Sequence, residues 1–212
     1  ETLHTGRTVF ICAVVGIVVG LMSIWFFSMI EWVKVYGLES FAHYFPPPAD
    51  GELAIAHPLD IRYTLLNRMW GGGEVCGVYI PSLGTIFAGL IRFLLPGLGA
   101  LLACLVARRF APSASGHGTD TVIGAYHHSA TDLPIAVAPV KVIASSLVIG
   151  SGGSAGAEGP VTQIGAVCGT AVARLFKLTP YERRILLAAG MAAGIGASFR
   201  APVAGALFAG GI

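Results

Sequence analysis

Apolar runs alternate along this chain with short breaks marked by glycine or proline, and the polar residues gather in the breaks. Residues 8–30 are apolar enough, and numerous enough, to span about 30 Å of hydrocarbon as one helix. Gly16 and Gly20 give that run a GxxxG pair, a spacing that suits close helix packing. Residues 31–70 are mixed and polar, with Pro46-Pro47-Pro48 in the middle. They predict a long loop with a short interfacial helix over residues 32–44, since Trp and Tyr favour the membrane interface. Gly71-Gly72-Gly73 opens a second apolar region, residues 75–107, which Pro81, Arg92 and Pro96 interrupt. It predicts one spanning helix in its later half, residues 96–107 extended backwards, ended by Arg108-Arg109.

Beyond residue 110 the apolar runs shorten. A polar turn over residues 112–121 leads into a short helix over 121–129. Apolar helices are expected over residues 134–149, which carry Lys141, and over 160–175. Arg174, Lys177, Arg183 and Arg184 form a basic loop around Thr179-Pro180, followed by a helix over 185–197. Phe199-Arg-Ala-Pro202 breaks that helix, and residues 203–212 begin another apolar run. Several of these runs fall short of the roughly 20 residues a full crossing needs. Non-helical backbone at membrane depth is tolerated only where protein buries it or where it lines a water-filled cavity. Broken helices near the midplane are where transporters bind ions.

Composition assigns the solvent. Of 212 residues 55% are hydrophobic and 11% charged, against about a quarter charged in a soluble domain. Mean hydropathy is +0.77. The expected class is an all-α polytopic membrane protein, and its 29 glycines suit closely approaching helices. A formal net charge of +2 offers no general basic surface for nucleic acid. Cys12, Cys76, Cys104 and Cys168 make no CxxC pair or zinc spacing and are expected to be buried apolar thiols. The first run is too long for a signal-peptide core and lacks a small-residue cleavage site, so a retained helix is expected. Arg7, Arg108, Arg109 and the basic residues of 174–184 are assigned to the cytoplasm by the positive-inside rule.

The most informative stretch is Gly150-Ser-Gly-Gly-Ser-Ala-Gly-Ala-Glu-Gly-Pro160. It puts Glu158 in a glycine-rich break between residues 133–149, whose only charge is Lys141, and residues 161–173, which have none. A lone carboxylate at membrane depth is a functional-site hypothesis by default. Pro160 suits the first turn of a helix, and the free N–H groups of a helix start attract anions. A carboxylate and a small anion would compete for that place, which is the physics of a gated anion pathway. The plainer reading is that Glu158 only satisfies a helix dipole. Gly116-His-Gly-Thr-Asp-Thr121 is a second candidate: either its backbone N–H groups and His117 line an anion site, or Thr119 and Asp120 cap an ordinary turn. His117, Asp120, His127 and His128 offer a weak metal pattern, since adjacent histidines on a helix diverge. Gly152-Gly-Ser-Ala-Gly156 matches the GxSxG serine-hydrolase elbow at Ser154, but no histidine follows His128. An intramembrane serine hydrolase using Ser154 is the alternative from another functional class.

Three stretches together resemble the CLC family of chloride channels and proton-coupled chloride antiporters. The glycine-rich break with Ile164-Gly165 resembles its GSGGS…G-R/K-EGP…QIG signature. Gly190-Met-Ala-Ala-Gly194 through Phe208 resembles its GAAAGIAAAFNAPLAGxLF stretch, and Gly116-His117-Gly118 stands at its GSGIP turn. The resemblance implies tilted and broken helices, here the first of two inverted halves, so that residues 1–212 form a partial transmembrane domain with the second half absent. It implies that Glu158 is the gating glutamate. It also implies that Gly116, His117, Gly118, Gly156, Ala157, Gly159 and Pro160 supply the anion-coordinating turns. Chloride is then the transported ligand, with no cofactor and no metal. A homodimer, a lipid bilayer and a multi-pass location in the plasma (inner) membrane are expected. The chain departs from the pattern at Ala157 (Arg or Lys in the family), His117 (Ser), Thr119-Asp120 (Ile-Pro) and Arg200 (Asn). Gly211 and Ile212 fall where glutamates often follow. An aliphatic residue at Ile212 favours a passive channel, or at least uncoupled transport, so the function expected from the resemblance is of voltage-gated chloride channel type, with a proton/chloride antiporter as the alternative within transport.

Overall fold

A computed structural model describes residues 2–41, 74–75, 78–79, 83–127 and 133–211. The described chain is helical apart from a two-residue antiparallel pair, β1 (Glu74–Val75) with β2 (Val78–Tyr79). Helix α1 (Thr2–Val33) is apolar all round and about 48 Å long at 1.5 Å per residue. Ile11, Val15, Val19 and Phe26 recur at helical spacing and are buried. Val9, Phe10, Ile17, Leu21 and Ile24 cover the other faces and are exposed. A helix that turns apolar side chains outward as well as inward suits lipid.

The interfacial helix expected over residues 32–44 is no separate element. Helix α1 runs on into a wider π-helical turn, Lys34–Phe41, and residues 42–44 lie outside the described part. Trp32 and Tyr36 meet across this junction with tilted rings whose centroids are 4.5 Å apart. The break expected at Arg92 and Pro96 is absent as well: α2 (Leu83–Phe110) passes through both and ends with Arg108 and Arg109 in its last turn. A proline at 96 removes one helical hydrogen bond, that to the Arg92 carbonyl, and membrane helices tolerate such a loss.

A 3-10 turn (Pro112–Ala114) leads to α3 (Thr119–His127), then α4 (Val137–Gly150) and α5 (Glu158–Leu175). Helix α5 is the centre of the molecule, buried without interruption from Gly159 to Thr170. It crosses α6 (Pro180–Phe199) at glycines. A Cβ on Gly165 would strike the Gly190 carbonyl, and a Cβ on Gly190 would strike that of Gly165. Two backbones this close exclude any side chain, and this contact does the work expected of Gly16 and Gly20, which face open space. Arg200, at φ 53, closes α6 before α7 (Pro202–Gly210), so the expected break at 199–202 is present.

Helix α6 begins at Pro180, inside the region expected to be a loop. Thr179-Pro-Tyr-Glu182 is a capping box: Thr179 Oγ1 accepts from the Glu182 amide, and the Glu182 carboxylate accepts from the Thr179 amide at 2.9 Å. Two orphan amides are satisfied reciprocally, and of the charges that suggested a loop Arg183 and Arg184 lie near the start of α6 while Arg174 lies in the last turn of α5. Thr179→Ala is expected to lower the stability of the full-length gene product by about 1 kcal/mol. A lowered thermal unfolding midpoint in detergent, with Tyr181→Ala as a neighbouring control, checks this.

Candidate functional site

The chain reverses between α2 and α3 through Gly116 (φ 82) and Gly118 (φ 103), which hold left-handed backbone that a side chain would strain. Lys141 pins this turn from α4. It is 3% exposed, and its ammonium donates to the Ala114 carbonyl at 3.0 Å and the Gly116 carbonyl at 2.6 Å. Gln163 pins it from α5, donating through Nε2 to the Ser113 carbonyl at 2.9 Å. Its Oε1 is buried beside Gly118 and has no hydrogen-bond partner among the described residues.

Two helix starts meet here. The first helical bond of α3 runs from the Val122 amide to the Gly118 carbonyl, and that of α5 from the Val161 amide to the Ala157 carbonyl. The amides ahead of each lie in the unpaired first turn, where a helix presents partial positive charge. Gly159 sits in the crowded space between the two starts, against the His117 carbonyl and imidazole; a Cβ there would come within 2.6 Å of Nδ1. Thr119, the first residue of α3 rather than its cap, holds the same Nδ1 at 3.3 Å through Oγ1.

The turn ahead of α3 and the segment leading into α5 border one cavity of about 690 Å³. Small residues of α2 and α4 form much of its wall, with Gly116, His117, Gly156 and Pro160 on the other side and Lys141 and Arg108 supplying positive charge. Of the residues predicted for the site, these four line the cavity. Gly118 and Gly159 are buried behind them, and Ala157 is half-buried as the residue before α5. Glu158 is exposed and is not part of the wall. Its carboxylate folds back onto Gly156, where a Cβ would overlap Oε2. Ser154 is exposed and lines the cavity. Cys104 also lines it and is exposed, contrary to the buried thiol expected; Cys168 is buried, Cys12 is partly so, and Cys76 lies outside the described residues. Among the described residues no three His, Cys, Asp or Glu side chains gather in a way that could hold a metal.

Lys141 and Gln163 were not among the predicted site residues. The rule that marked Glu158, a charge set in an apolar run, applies equally to Lys141. The carbonyls that Lys141 binds are 25 and 27 residues away and are not visible locally.

Comparison with known proteins fixes the class. Residues 99–210 match the family model described as voltage gated chloride channel. The chain is 32% identical over 197 residues to the H(+)/Cl(-) exchange transporter ClcA of Yersinia pestis bv. Antiqua (strain Angola), covering 92% of this chain and 34% of that protein. It is 39% identical over 119 residues to ClcA of Klebsiella pneumoniae (strain 342), covering 56% of this chain and 25% of the relative. The crystal structure of a slow cyanobacterial Cl-/H+ antiporter superposes with a TM-score of 0.65 at 28% identity, over 94% of this chain and 38% of that one. This chain belongs to the voltage-gated chloride channel, or CLC, family and has the helical fold of its antiporters. It spans about a third of the length of the curated relatives it matches. Those relatives are transporters, so the hydrolase reading of Ser154 falls away and the chain is not an enzyme. Among the described residues, two helices are long and apolar enough to cross a membrane, Gly6–Gly37 and Gly89–Phe110.

Proposed function

We propose that this chain provides part of a chloride pathway through a membrane, with Glu158 as its gate. The observation that carries the reading is that two helix starts meet at His117, between Thr119 and Gly159, on the wall of a cavity that a buried ammonium also lines. Unpaired amides and a cation suit a small anion and demand no particular shape from it. The Glu158 carboxylate lies over Gly156, a residue of the cavity wall, and Glu158 is itself the first residue of α5. Ionised, it closes the approach; protonated, it loses its attraction to the helix start and releases it. Gly116, His117, Gly118, Gly156, Ala157, Gly159 and Pro160 then form the anion-coordinating turns.

Exchange of chloride for protons is favoured over a passive channel, because the relatives above are named as exchangers. The protein acts without a cofactor, as a homodimer in the inner membrane. Full-length gene product in chloride-loaded liposomes is expected to release chloride and to move protons the opposite way. Chloride release with no proton movement would support the channel, and no chloride release would refute the pathway.

A further inference from the structure

His117 is a hydrogen-bonding side chain that lines the cavity and packs against both the first residue of α3, Thr119, and Gly159 of α5. Its imidazole is held on the Nδ1 side by Thr119 Oγ1 and by the Gly159 backbone. Nε2 has no hydrogen bond among the described residues, and the residue as a whole is exposed on the cavity wall. Four charged groups belong to the elements that border it. Arg108 of α2 and Lys141 of α4 share the cavity wall, Asp120 follows in the first turn of α3, and Glu158 begins α5 next to Gly159. Cys104 of α2 is the remaining titratable side chain on that wall.

Resting on the anion-site reading above, we propose that His117 is a proton-operated anion ligand: protonated, it binds the passing anion from between the two helix starts, and neutral, it holds the anion less well. Each imidazolium offers two N–H donors and a positive charge, whereas a neutral ring has one donor and one acceptor. An anion therefore favours the protonated ring, and a protonated ring favours the anion, by the same factor. A serine at this position has no such option. The proton enters from the aqueous cavity and returns to it, so no other group need change. Acid then promotes anion occupancy by a route separate from Glu158.

Glu158→Gln removes the carboxylate's titration and isolates this route. Chloride binding by the purified full-length variant, followed by calorimetry in buffers of different ionisation enthalpy, counts the protons taken up with each anion. Affinity is expected to fall about fivefold or more from pH 5 to pH 8, the range over which an imidazole changes charge, with net proton uptake on binding. Adding His117→Ser, or His117→Gln, is expected to flatten both while chloride still binds. Absence of proton uptake in Glu158→Gln would overturn the proposal, as would its persistence in both double variants. If chloride bound to none of these proteins, nor to the wild type, the anion site itself would be refuted and this inference with it.

Discussion

Glu158→Gln in the full-length gene product is expected to raise chloride flux at alkaline pH by about tenfold to thirtyfold and to reduce accompanying proton movement to background. The size follows from what is removed. An ionised carboxylate beside a helix start gains about 0.3–2 kcal/mol from the helix dipole. Hydrogen bonds from backbone amides to a charged acceptor add about 1.5–3 kcal/mol. An anion must displace that interaction to enter, and a neutral amide side chain competes far less well. Loss of about 2 kcal/mol of competition is about thirtyfold in occupancy. At acid pH the two proteins should converge, because protonation already does to Glu158 what the substitution does permanently. Paired chloride and proton flux measurements across a pH series check this. A variant that kept the wild-type pH profile would take Glu158 out of the gate.

The position of this carboxylate was legible from the chain alone because both of its determinants are local. Gly156 and Gly159 leave room on either side, and Pro160 forces a helix to begin nearby; α5 does begin at Glu158. The Gly116 and Gly118 turn was legible for the same reason, since two glycines around one residue announce positive φ. What was not legible is how the two breaks meet. They are about forty residues apart, and what joins them is Gln163 reaching the Ser113 carbonyl and Lys141 reaching Ala114 and Gly116. Such bonds end on backbone carbonyls, which carry no residue identity, so the sequence holds only the donor half of each pair.

Helix boundaries failed where one local rule was given too much weight. Pro96 argued for a break, but α2 has enough apolar length on both sides for the helix to outlast one missing hydrogen bond. The basic residues near Thr179 argued for a loop, although Thr179 and Glu182 stood at capping-box spacing. Gly16 and Gly20 matched a packing motif, yet a Cβ on either would meet no neighbour among the described residues, whereas Gly165 and Gly190 form a close crossing between two different helices. A motif names a surface that could pack closely; the topology decides which surfaces meet.

Lys141→Met should be the most damaging single change at the site that leaves Glu158 and both glycine turns in place. The ammonium is almost fully buried and donates to two carbonyls of the turn that carries His117. Methionine fills a similar volume but donates nothing. A buried acceptor left unsatisfied costs about 1–3 kcal/mol, which applies to the Ala114 carbonyl; the Gly116 carbonyl, on an exposed residue, loses its bond at less cost. The turn would loosen, and the cavity would lose a positive charge facing the anion. Chloride affinity is expected to fall by at least about thirtyfold, or about 2 kcal/mol, with a lower thermal unfolding midpoint. Gln163→Leu separates the two effects. It releases only the Ser113 carbonyl and removes no charge, so it should lower the unfolding midpoint while weakening chloride binding much less. Calorimetric chloride titration and thermal unfolding of both variants, in full-length protein, make the comparison. Equal losses of affinity would mean that Lys141 acts only by holding the turn. An unchanged affinity in Lys141→Met would mean that the buried cation has no part in binding the ion.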